Sequence, residues 1–360
     1  MNTDKKNRCR ERSVSSTISY KLLSFLTTHL LLQSVFTTLL LLPALFSCDT
    51  IGPSGMEAIR TTRMMMDLPS DQGDPHTMDI FTFNVEGAGH LDSYQRIESF
   101  SGHELELRSQ SGEKHVFICS NGQRSIYDWS VINSRASLDG MFIELKEERR
   151  RSLCSTGETF VNAGEGMVYQ IEMRRIASEI VLNSIKCDFS GKSYEGKKIT
   201  DVSVYLTNVN CRCSLAADGE ILPLGIVNAS GADHEEMDGY AEKDMLFQNM
   251  EEDIGPEAMR VGMSFICYPN SCRKEGPGTP FTRLVIEGRI DGETFWWPVD
   301  INRQEGTENP GIHRNSRYVF DINITRKGSS GPDEVLETDA AEIKMSIKAW
   351  TEKAEQEISF

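Results

Sequence analysis

The chain has 360 residues and is acidic, with 54 Asp and Glu against 38 Lys and Arg and a formal net charge of −16. A surface of this sign repels phosphate backbones, which argues against nucleic acid as a partner. It also repels anionic lipid head groups, so attachment to a membrane requires a hydrophobic or lipid anchor.

The N-terminus is built like a secretory signal. Basic residues before position 13 precede a leucine-rich block, and the small residue Ser47 stands before Cys48. This pattern resembles a lipoprotein signal over residues 1–47, after which Cys48 becomes the lipidated first residue of the mature chain. The alternative is a transmembrane anchor, because the apolar run is long enough to cross a bilayer.

Loss of the signal makes the chain more acidic. Residues 1–47 hold six of the bases and two of the acids, so the remainder has 32 bases, 52 acids and a net charge of −20. A multiply acylated cysteine meets the two-chain requirement for stable anchoring, so the lipid on Cys48 would hold the chain to the outer membrane. The remaining length of roughly 310 residues suggests two domains.

The first half of the mature chain predicts strands. Residues 56–66 alternate loosely, residues 78–84 form a firm strand, and a glycine-rich turn leads from it into 91–97, which indicates a hairpin. Residues 103–108 and 115–119 continue the pattern. Residues 121–150 are the most helix-like part of the chain, because apolar side chains recur there at three-and-four spacing.

A long uninterrupted apolar pattern runs over residues 168–182. It exceeds an ordinary strand, so we expect a strand that leaves one sheet and enters another, with a helix as the competing interpretation. This places a domain boundary near Arg175. The predicted domains are therefore 48–175 and 176–360.

The second half repeats the strand pattern at 199–207, 263–267, 281–288, 294–299 and 317–325. Asp291 and Gly292 indicate a hairpin turn. Trp296 and Trp297 should point to opposite faces of one strand, so that one is core and the other either packs at an edge or stacks on a sugar. The fold class predicted for the whole chain is all-β, with a few short helices.

The cleanest alternation lies in the predicted terminal strand, 342–350. It places Ile343, Met345, Ile347 and Ala349 on one face and polar residues on the other. A strand patterned in this way must bury its apolar row in a sheet. The sequence leaves open which molecule supplies that sheet.

No pattern supports catalysis, a cofactor or a metal. The Gly-x-Gly at 87–89 and the P-loop-like 191–198 are each followed by a strand where nucleotide binding requires a helix. The acidic residues in 229–258 lack the spacing of a calcium loop and favour a solvated insertion. Serine-hydrolase and zinc-protease motifs are missing, so we expect a protein that is not an enzyme.

Seven cysteines follow Cys48. Cys119 and Cys187 lie in apolar runs and are predicted to be small core residues. The pair Cys211 and Cys213 and the pair Cys267 and Cys272 have the wrong spacing for zinc, and either pair can join the other or stay reduced.

The order of several segments resembles the FimA-type fimbrillin family, the subunits of type V fimbriae of Bacteroidales. The segments that carry the resemblance are 79–84 with 91–94, 175–182, 205–209, 267–270 and 312–318.

The resemblance implies two transthyretin-like β-sandwich domains in tandem, export as a lipoprotein, and assembly of surface fimbriae by β-strand addition with a role in cell adhesion. It implies cleavage after an arginine, with Arg60 and Arg63 as candidates, and use of the terminal strand as the donor to a neighbour. The expected partners are other fimbrial subunits and a host glycan or protein. The alternative is a non-polymerising surface lipoprotein that binds glycans, with Trp296 or Trp297 as the platform, or that anchors the fimbria.

Overall fold

The computed structural model describes residues 59–350, apart from 70–76, 124–128, 165, 217–218, 232–233, 305 and 335–340. The predicted signal, residues 1–47, and Cys48 lie outside this part. Among the described residues, no helix is both long and apolar enough to span a bilayer.

Strands dominate the described residues, which confirms the all-β prediction. Those of the first half are β1 (Ile59–Asp67), β2 (Met78–Asn84), β3 (Leu91–Ile97), β4 (Glu104–Gln110), β5 (Gly112–Ser120), β6 (Phe142–Glu144), β7 (Ser155–Ala163), β8 (Val168–Glu172) and β9 (Arg174–Arg175). Those of the second half are β10 (Ser178–Cys187), β11 (Thr200–Thr207), β12 (Val209–Asn210), β13 (Arg212–Ser214), β14 (Ile226–Val227), β15 (Phe247–Asn249), β16 (Met259–Cys267), β17 (Arg283–Ile290), β18 (Glu293–Asp300), β19 (Ser316–Ile324) and β20 (Ala341–Ala349).

Helical segments are short. One α-helix, α1, covers Arg135–Asp139, and 3-10 turns cover Trp129–Val131, Leu145–Glu147, Ala229–Gly231, His234–Gly239 and Lys243–Met245. The segment 121–150 therefore holds less helix than its pattern predicts. Ser134 and Ser137 start α1 with a capping box, but Gly140 ends it after five residues.

The first half of the chain forms two sheets that share a core. A three-stranded sheet has the order β4-β1-β8, and a five-stranded sheet has the order β3-β2-β5-β7-β9. Alternate residues of β1 and β4 point toward the larger sheet because one face of each strand is apolar. The side chains buried there include Met64, Met66, Ile80, Leu105, Leu107, Val116, Ile118, Val161 and Ile171.

The second half forms two four-stranded sheets, with the orders β16-β10-β19-β20 and β15-β11-β17-β18. The predicted turn at Asp291 and Gly292 joins β17 to β18, and both residues have positive φ, as a tight hairpin requires. The core here includes Ile180, Leu182, Val204, Leu206, Phe265, Leu284, Ile286, Trp297, Tyr318, Phe320 and Ile322.

The two halves are joined by backbone pairing and by packing. β6 of the first half pairs with β13 of the second, and one apolar cluster contains Phe81 and Phe117 together with Tyr318. The large sheets otherwise divide the strands between β9 and β10, on either side of Ile176. That 48–175 and 176–360 are separate domains stays a prediction.

Residues 168–182 form three strands rather than one long strand or a helix. β8 joins the three-stranded sheet, β9 the five-stranded sheet and β10 a sheet of the second half. The breaks fall at Met173 and at Ile176 and Ala177, whose side chains are all buried. The apolar pattern therefore continues through both breaks, and no polar residue marks them.

The described acidic side chains of segment 229–258 are exposed, as predicted, apart from the half-buried Glu242, but the segment also packs against the core. Its short 3-10 turns direct Met237, Met245 and Leu246 into the core, where none of them is exposed. Within the part of the chain that the structure describes, no group of three or more His, Cys, Asp and Glu could hold a metal ion.

A carboxyl group is buried where the two halves meet. Glu148 is 2% exposed, and its Oε1 accepts a hydrogen bond of 2.9 Å from Tyr268 Oη. Its Oε2 accepts one of 3.1 Å from the backbone N–H of Cys154. Because burial disfavours the charged form, the pKa of Glu148 rises to about 7.

This raised pKa predicts a pH-dependent stability. Between about pH 4.5 and pH 7 the unfolded chain releases the Glu148 proton while the folded chain keeps it, so the contribution of Glu148 to the free energy of unfolding falls by about 3 kcal/mol as pH rises. Glu148→Gln keeps a neutral group there and should flatten this part of the profile. Urea denaturation from pH 5 to 8 measures it, with the exposed Glu147→Gln as control. Parallel profiles for wild type and Glu148→Gln would contradict the assignment.

Candidate functional site

The first strand of the described chain, β1, lies in the middle of a sheet. It pairs antiparallel with β4 over residues 59–65 and parallel with β8 over residues 63–67. Thr62, Met64 and Met66 point inward and are each at most 3% exposed. β1 therefore fills a groove between β4 and β8 with three consecutive inward side chains.

Both arginines predicted as cleavage sites lie inside β1. Their side chains are exposed: Arg60 lies over Gly164, and Arg63 makes a loose ion pair of 3.8 Å with Glu104. Their backbones are held in the sheet, Arg60 by β4 alone and Arg63 by both neighbours. A protease must open this pairing to reach either peptide bond.

The positions of Arg60 and Arg63 within β1 determine how much of the strand each cleavage would remove. Cleavage after Arg63 leaves Met64 and Met66 in the chain, although these are the two methionines that fill the groove. The sequence from 64 to 77 contains no Lys or Arg, so no later basic residue offers a cut that removes the whole strand.

The C-terminal strand β20 lies at the edge of this molecule's own sheet. It pairs antiparallel with β19 from Ala341 opposite Ile324 to Ala349 opposite Ser316. The register sets Ile343, Met345 and Ile347 beside the core residues of β19 listed here: Ile322, Phe320 and Tyr318. The predicted apolar row therefore lies on the core side of the sheet.

The core covers that row only partly. Ile343 is 37% exposed and Ile347 is 51% exposed, whereas the β19 residues beside them are at most 3% exposed. Met345 is half-buried and packs against the core. The donor residues thus have a place in their own sheet, but that place leaves much of their apolar surface in water.

A group of three residues, the C-terminal clasp, holds the end of β20. It consists of Trp350, Arg175 and Asn315. Trp350 is 5% exposed, and its ring lies over the Arg175 guanidinium, itself 1% exposed, at 4.4 Å. The backbone N–H of Trp350 donates to the backbone O of Asn315 at 3.1 Å. The backbone N–H of Arg175 donates to Asn315 Oδ1 at 3.4 Å.

The clasp was not predicted from the sequence. Trp350 ends the predicted terminal strand and Arg175 marks the predicted domain boundary, but no sequence pattern connects the two residues. The available signal was an arginine inside the apolar run 168–182, because a cation there requires partners when it is buried.

The connection between β19 and β20 is fixed along its first part. Ser329 forms a backbone bridge with Trp296, and Trp297 Nε1 donates to Arg326 O at 2.9 Å. Further on, Asp333 accepts a hydrogen bond of 2.7 Å from Arg283, which is 3% exposed. The segment that precedes β20 is therefore tethered to the second half as far as Asp333.

The tryptophans predicted as a sugar platform are separated as expected. Trp297 is 1% exposed and belongs to the core, while Trp296 is half-buried beside Ser329. The cysteines of the described part are all free thiols. Cys119 and Cys187 are buried as predicted, and so are Cys213, Cys267 and Cys272.

Comparison with known proteins identifies the fold. No protein-family model and no curated protein matches the sequence. Solved structures do match. One is a protein of Bacteroides eggerthii that is named as a candidate cell adhesion protein. Its sequence identity is 13% and its TM-score is 0.63, and the match covers 83% of this chain and 98% of that one.

Two further structures agree. A protein of Parabacteroides distasonis, also provisionally assigned to cell adhesion, has 15% identity and a TM-score of 0.60 over 82% of this chain and 97% of its own. A FimA fimbrilin of Porphyromonas gingivalis has 13% identity and a TM-score of 0.58 over 81% of this chain and 97% of its own. Similarity at this level of identity establishes the fold.

The clasp should slow the opening of β20, which amide hydrogen exchange can measure. Trp350→Ala removes a buried ring and a desolvated cation–π contact, so opening of β20 should become easier. We expect amide hydrogen exchange of residues 341–349 to accelerate about tenfold or more. Trp296→Ala, which removes a tryptophan outside the clasp, should leave these rates unchanged. Equal exchange rates in the two variants would mean that the clasp does not hold the strand.

Proposed function

We propose that this chain, which has the FimA-type fimbrillin fold, is a structural, non-enzymatic subunit of cell-surface fimbriae that takes part in adhesion. It is exported as a lipoprotein through Cys48 and joins other fimbrial subunits by β-strand addition, with β20 as the donated strand. A host glycan or protein is a further expected partner. The observation that carries the proposal is the half-exposed apolar row of an edge strand.

An edge position suits a strand that must leave. β20 has one paired neighbour, β19, whereas β1 has two. Removal of β20 breaks one ladder of backbone hydrogen bonds and leaves the order β16-β10-β19 intact. A central strand such as β1 cannot leave without dividing its sheet.

The apolar rows of the two terminal strands have the same spacing. In β1 the inward side chains are Thr62, Met64 and Met66; in β20 they are Ile343, Met345 and Ile347. Both sets occupy three consecutive inward positions of a strand. A groove shaped for the first set, in another chain of this fold that has lost its β1, can accept the second.

Transfer to such a groove adds apolar burial. A fully buried Ile or Met side chain contributes about 1.5–3 kcal/mol relative to an exposed one. Ile343 and Ile347 realise only part of this at the edge of their own sheet, because they are 37% and 51% exposed there. In the neighbour's groove, backbone hydrogen bonds replace those lost to β19, and the two isoleucines gain the remaining burial.

Ile347→Asp tests the donated strand. In the isolated molecule Ile347 is half-exposed, so the melting temperature should fall by a few degrees at most. In the neighbour's groove the same change buries a charge, so cross-linked oligomers with other fimbrial subunits should decrease about tenfold or more.

Ser346→Asp is the matched control, since the exposed Ser346 lies on the opposite face of the same strand. It should leave the oligomers unchanged. Chemical cross-linking of whole cells followed by mass spectrometry measures both variants. Unchanged oligomers in the Ile347→Asp variant would show that β20 is not donated.

A second candidate role concerns position in the fimbria. Because a cut after Arg60 or Arg63 would leave Met64 and Met66 in the chain, neither cut would empty the groove completely. Such a subunit can donate a strand without accepting one, so it joins other subunits at one end only. An uncut chain also keeps the lipid on Cys48, which favours a subunit that anchors the fimbria to the outer membrane.

The N-terminus of the surface protein tests this role. We expect lipid-modified Cys48 as the first residue, and an Arg60→Gln, Arg63→Gln double variant that assembles as well as wild type. Mass spectrometry of material shaved from cells gives the N-terminus, and cross-linking gives the assembly. A wild-type chain that begins at Thr61 or Met64, together with loss of assembly in the double variant, would rule out the anchoring role.

A further inference from the structure

Two thiols of the core lie in contact. Cys119 Sγ and Cys154 Sγ are 3.5 Å apart, and neither side chain is exposed. Cys119 belongs to β5, and Cys154 directly precedes β7, the strand that pairs with β5. The pairing of these two strands fixes the relative position of the two cysteines.

We infer that Cys119 and Cys154 form a disulfide when the chain folds in an oxidising compartment. The sulfur atoms, 3.5 Å apart, need to approach by about 1.5 Å to reach the bond length of about 2.05 Å. The bond would close a loop across residues that are 35 apart in sequence. The spacing of the cysteines along the sequence leaves this pairing undetermined.

Other thiols of the described chain have different surroundings. Cys187 Sγ donates to Ile254 O at 3.2 Å, and Cys272 Sγ donates to Thr279 O at 3.6 Å. Cys267 is fully buried, and burial alone raises its pKa to about 12. Cys267 therefore serves as a buried thiol for comparison.

The reaction is a thiol–disulfide exchange whose oxidant is a disulfide, carried by an oxidoreductase in the cell or by oxidised glutathione in a test tube. The Cys119 thiolate attacks the oxidant and displaces one of its thiols, which gives a mixed disulfide. The Cys154 thiolate then attacks Cys119 Sγ and displaces the second thiol. Two electrons pass to the oxidant, and the two protons from the cysteines end on its two thiols.

Timing follows from burial. Hydrogen bonding to Cys119 and burial raise the pKa of Cys154 well above its ordinary value, so the folded protein holds little Cys154 thiolate. Thiol–disulfide exchange should therefore occur during folding, before the core packs around Cys119 and Cys154. A reduced, already folded chain should react about tenfold or more slowly than a chain that is refolding.

The test uses the full chain purified from the cell envelope. It is unfolded with reductant, refolded in a glutathione redox buffer, alkylated in denaturant and digested with trypsin. Cys119 and Cys154 fall in the separate peptides 115–124 and 152–174, each with one cysteine. We expect these two peptides to be linked, with a mass two hydrogens below their sum, while the Cys267 peptide is alkylated. Alkylation of both Cys119 and Cys154 would overturn the inference.

A second measurement concerns stability. Dithiothreitol should lower the melting temperature of the refolded wild type by about 5 °C or more. It should have the same effect on Cys267→Ser, which keeps the bond, and no effect on Cys154→Ser, which lacks it. Insensitivity of the wild type to dithiothreitol would overturn the inference, and the peptide map of the wild type decides the matter if Cys154→Ser does not fold.

The expectation of oxidation in the cell rests on the proposed export. The refolding experiment does not, because it supplies its own oxidant. If the linked peptides form on refolding but the chain is found in the cytoplasm, the proposed function fails and the pairing stands. If the chain is exported but the linked peptides never form, the pairing fails and the proposed function stands.

Discussion

The pairing of β20 with β19 at an open sheet edge is the contact on which the properties of this molecule depend. An edge strand is held by one ladder of hydrogen bonds and by whatever its side chains bury. Here the row of Ile343, Met345 and Ile347 is only partly covered, so packing supplies less than it would inside the sandwich. The contact of Trp350 with Arg175 in the clasp adds stabilisation at the end of β20 and offsets part of this incomplete packing.

The two terminal strands are held in opposite ways. β1 is paired on both sides and inserts Met64 and Met66 into the core, so its removal would divide its sheet and expose that core. β20 is paired on one side and can separate while the rest of its sheet stays hydrogen-bonded. This asymmetry agrees with the proposed role, in which the subunit donates β20 and keeps β1.

Buried polar groups gather where the two halves of the chain meet. Glu148, Tyr268 and Arg175 each lie there with at most 2% exposure and with partners from the other half of the sequence. Such groups are costly to bury unless their partners are in place, so they favour one arrangement of the halves over alternatives. The C-terminal end of β20 contacts the same region through Trp350. Disruption of the packing between the two halves should therefore also weaken the attachment of β20.

The strands and the faces on which their apolar side chains lie could be read from local sequence. Alternation with a period of two is a local property, so the all-β class, the β17–β18 hairpin and the apolar row of β20 could be predicted from neighbouring residues. Breaks between strands that lie inside the core could not be predicted from neighbouring residues. The breaks at Met173 and at Ile176 and Ala177 carry buried side chains, and the methionines of 229–258 turn inward through 3-10 turns that the acidic composition conceals.

Contacts between groups from distant parts of the chain depend on how the strands assemble into sheets, and local sequence does not reveal them. Arg175 and Trp350 are 175 residues apart, Glu148 and Tyr268 are 120 apart, and the thiols of Cys119 and Cys154 touch only because β5 pairs with β7. The tertiary structure also decided that β20 lies in this molecule's own sheet with its row half-exposed. Alternation shows that a strand has an apolar face, but the depth to which that face is buried depends on how far the opposing sheet extends, and no local pattern encodes that extent.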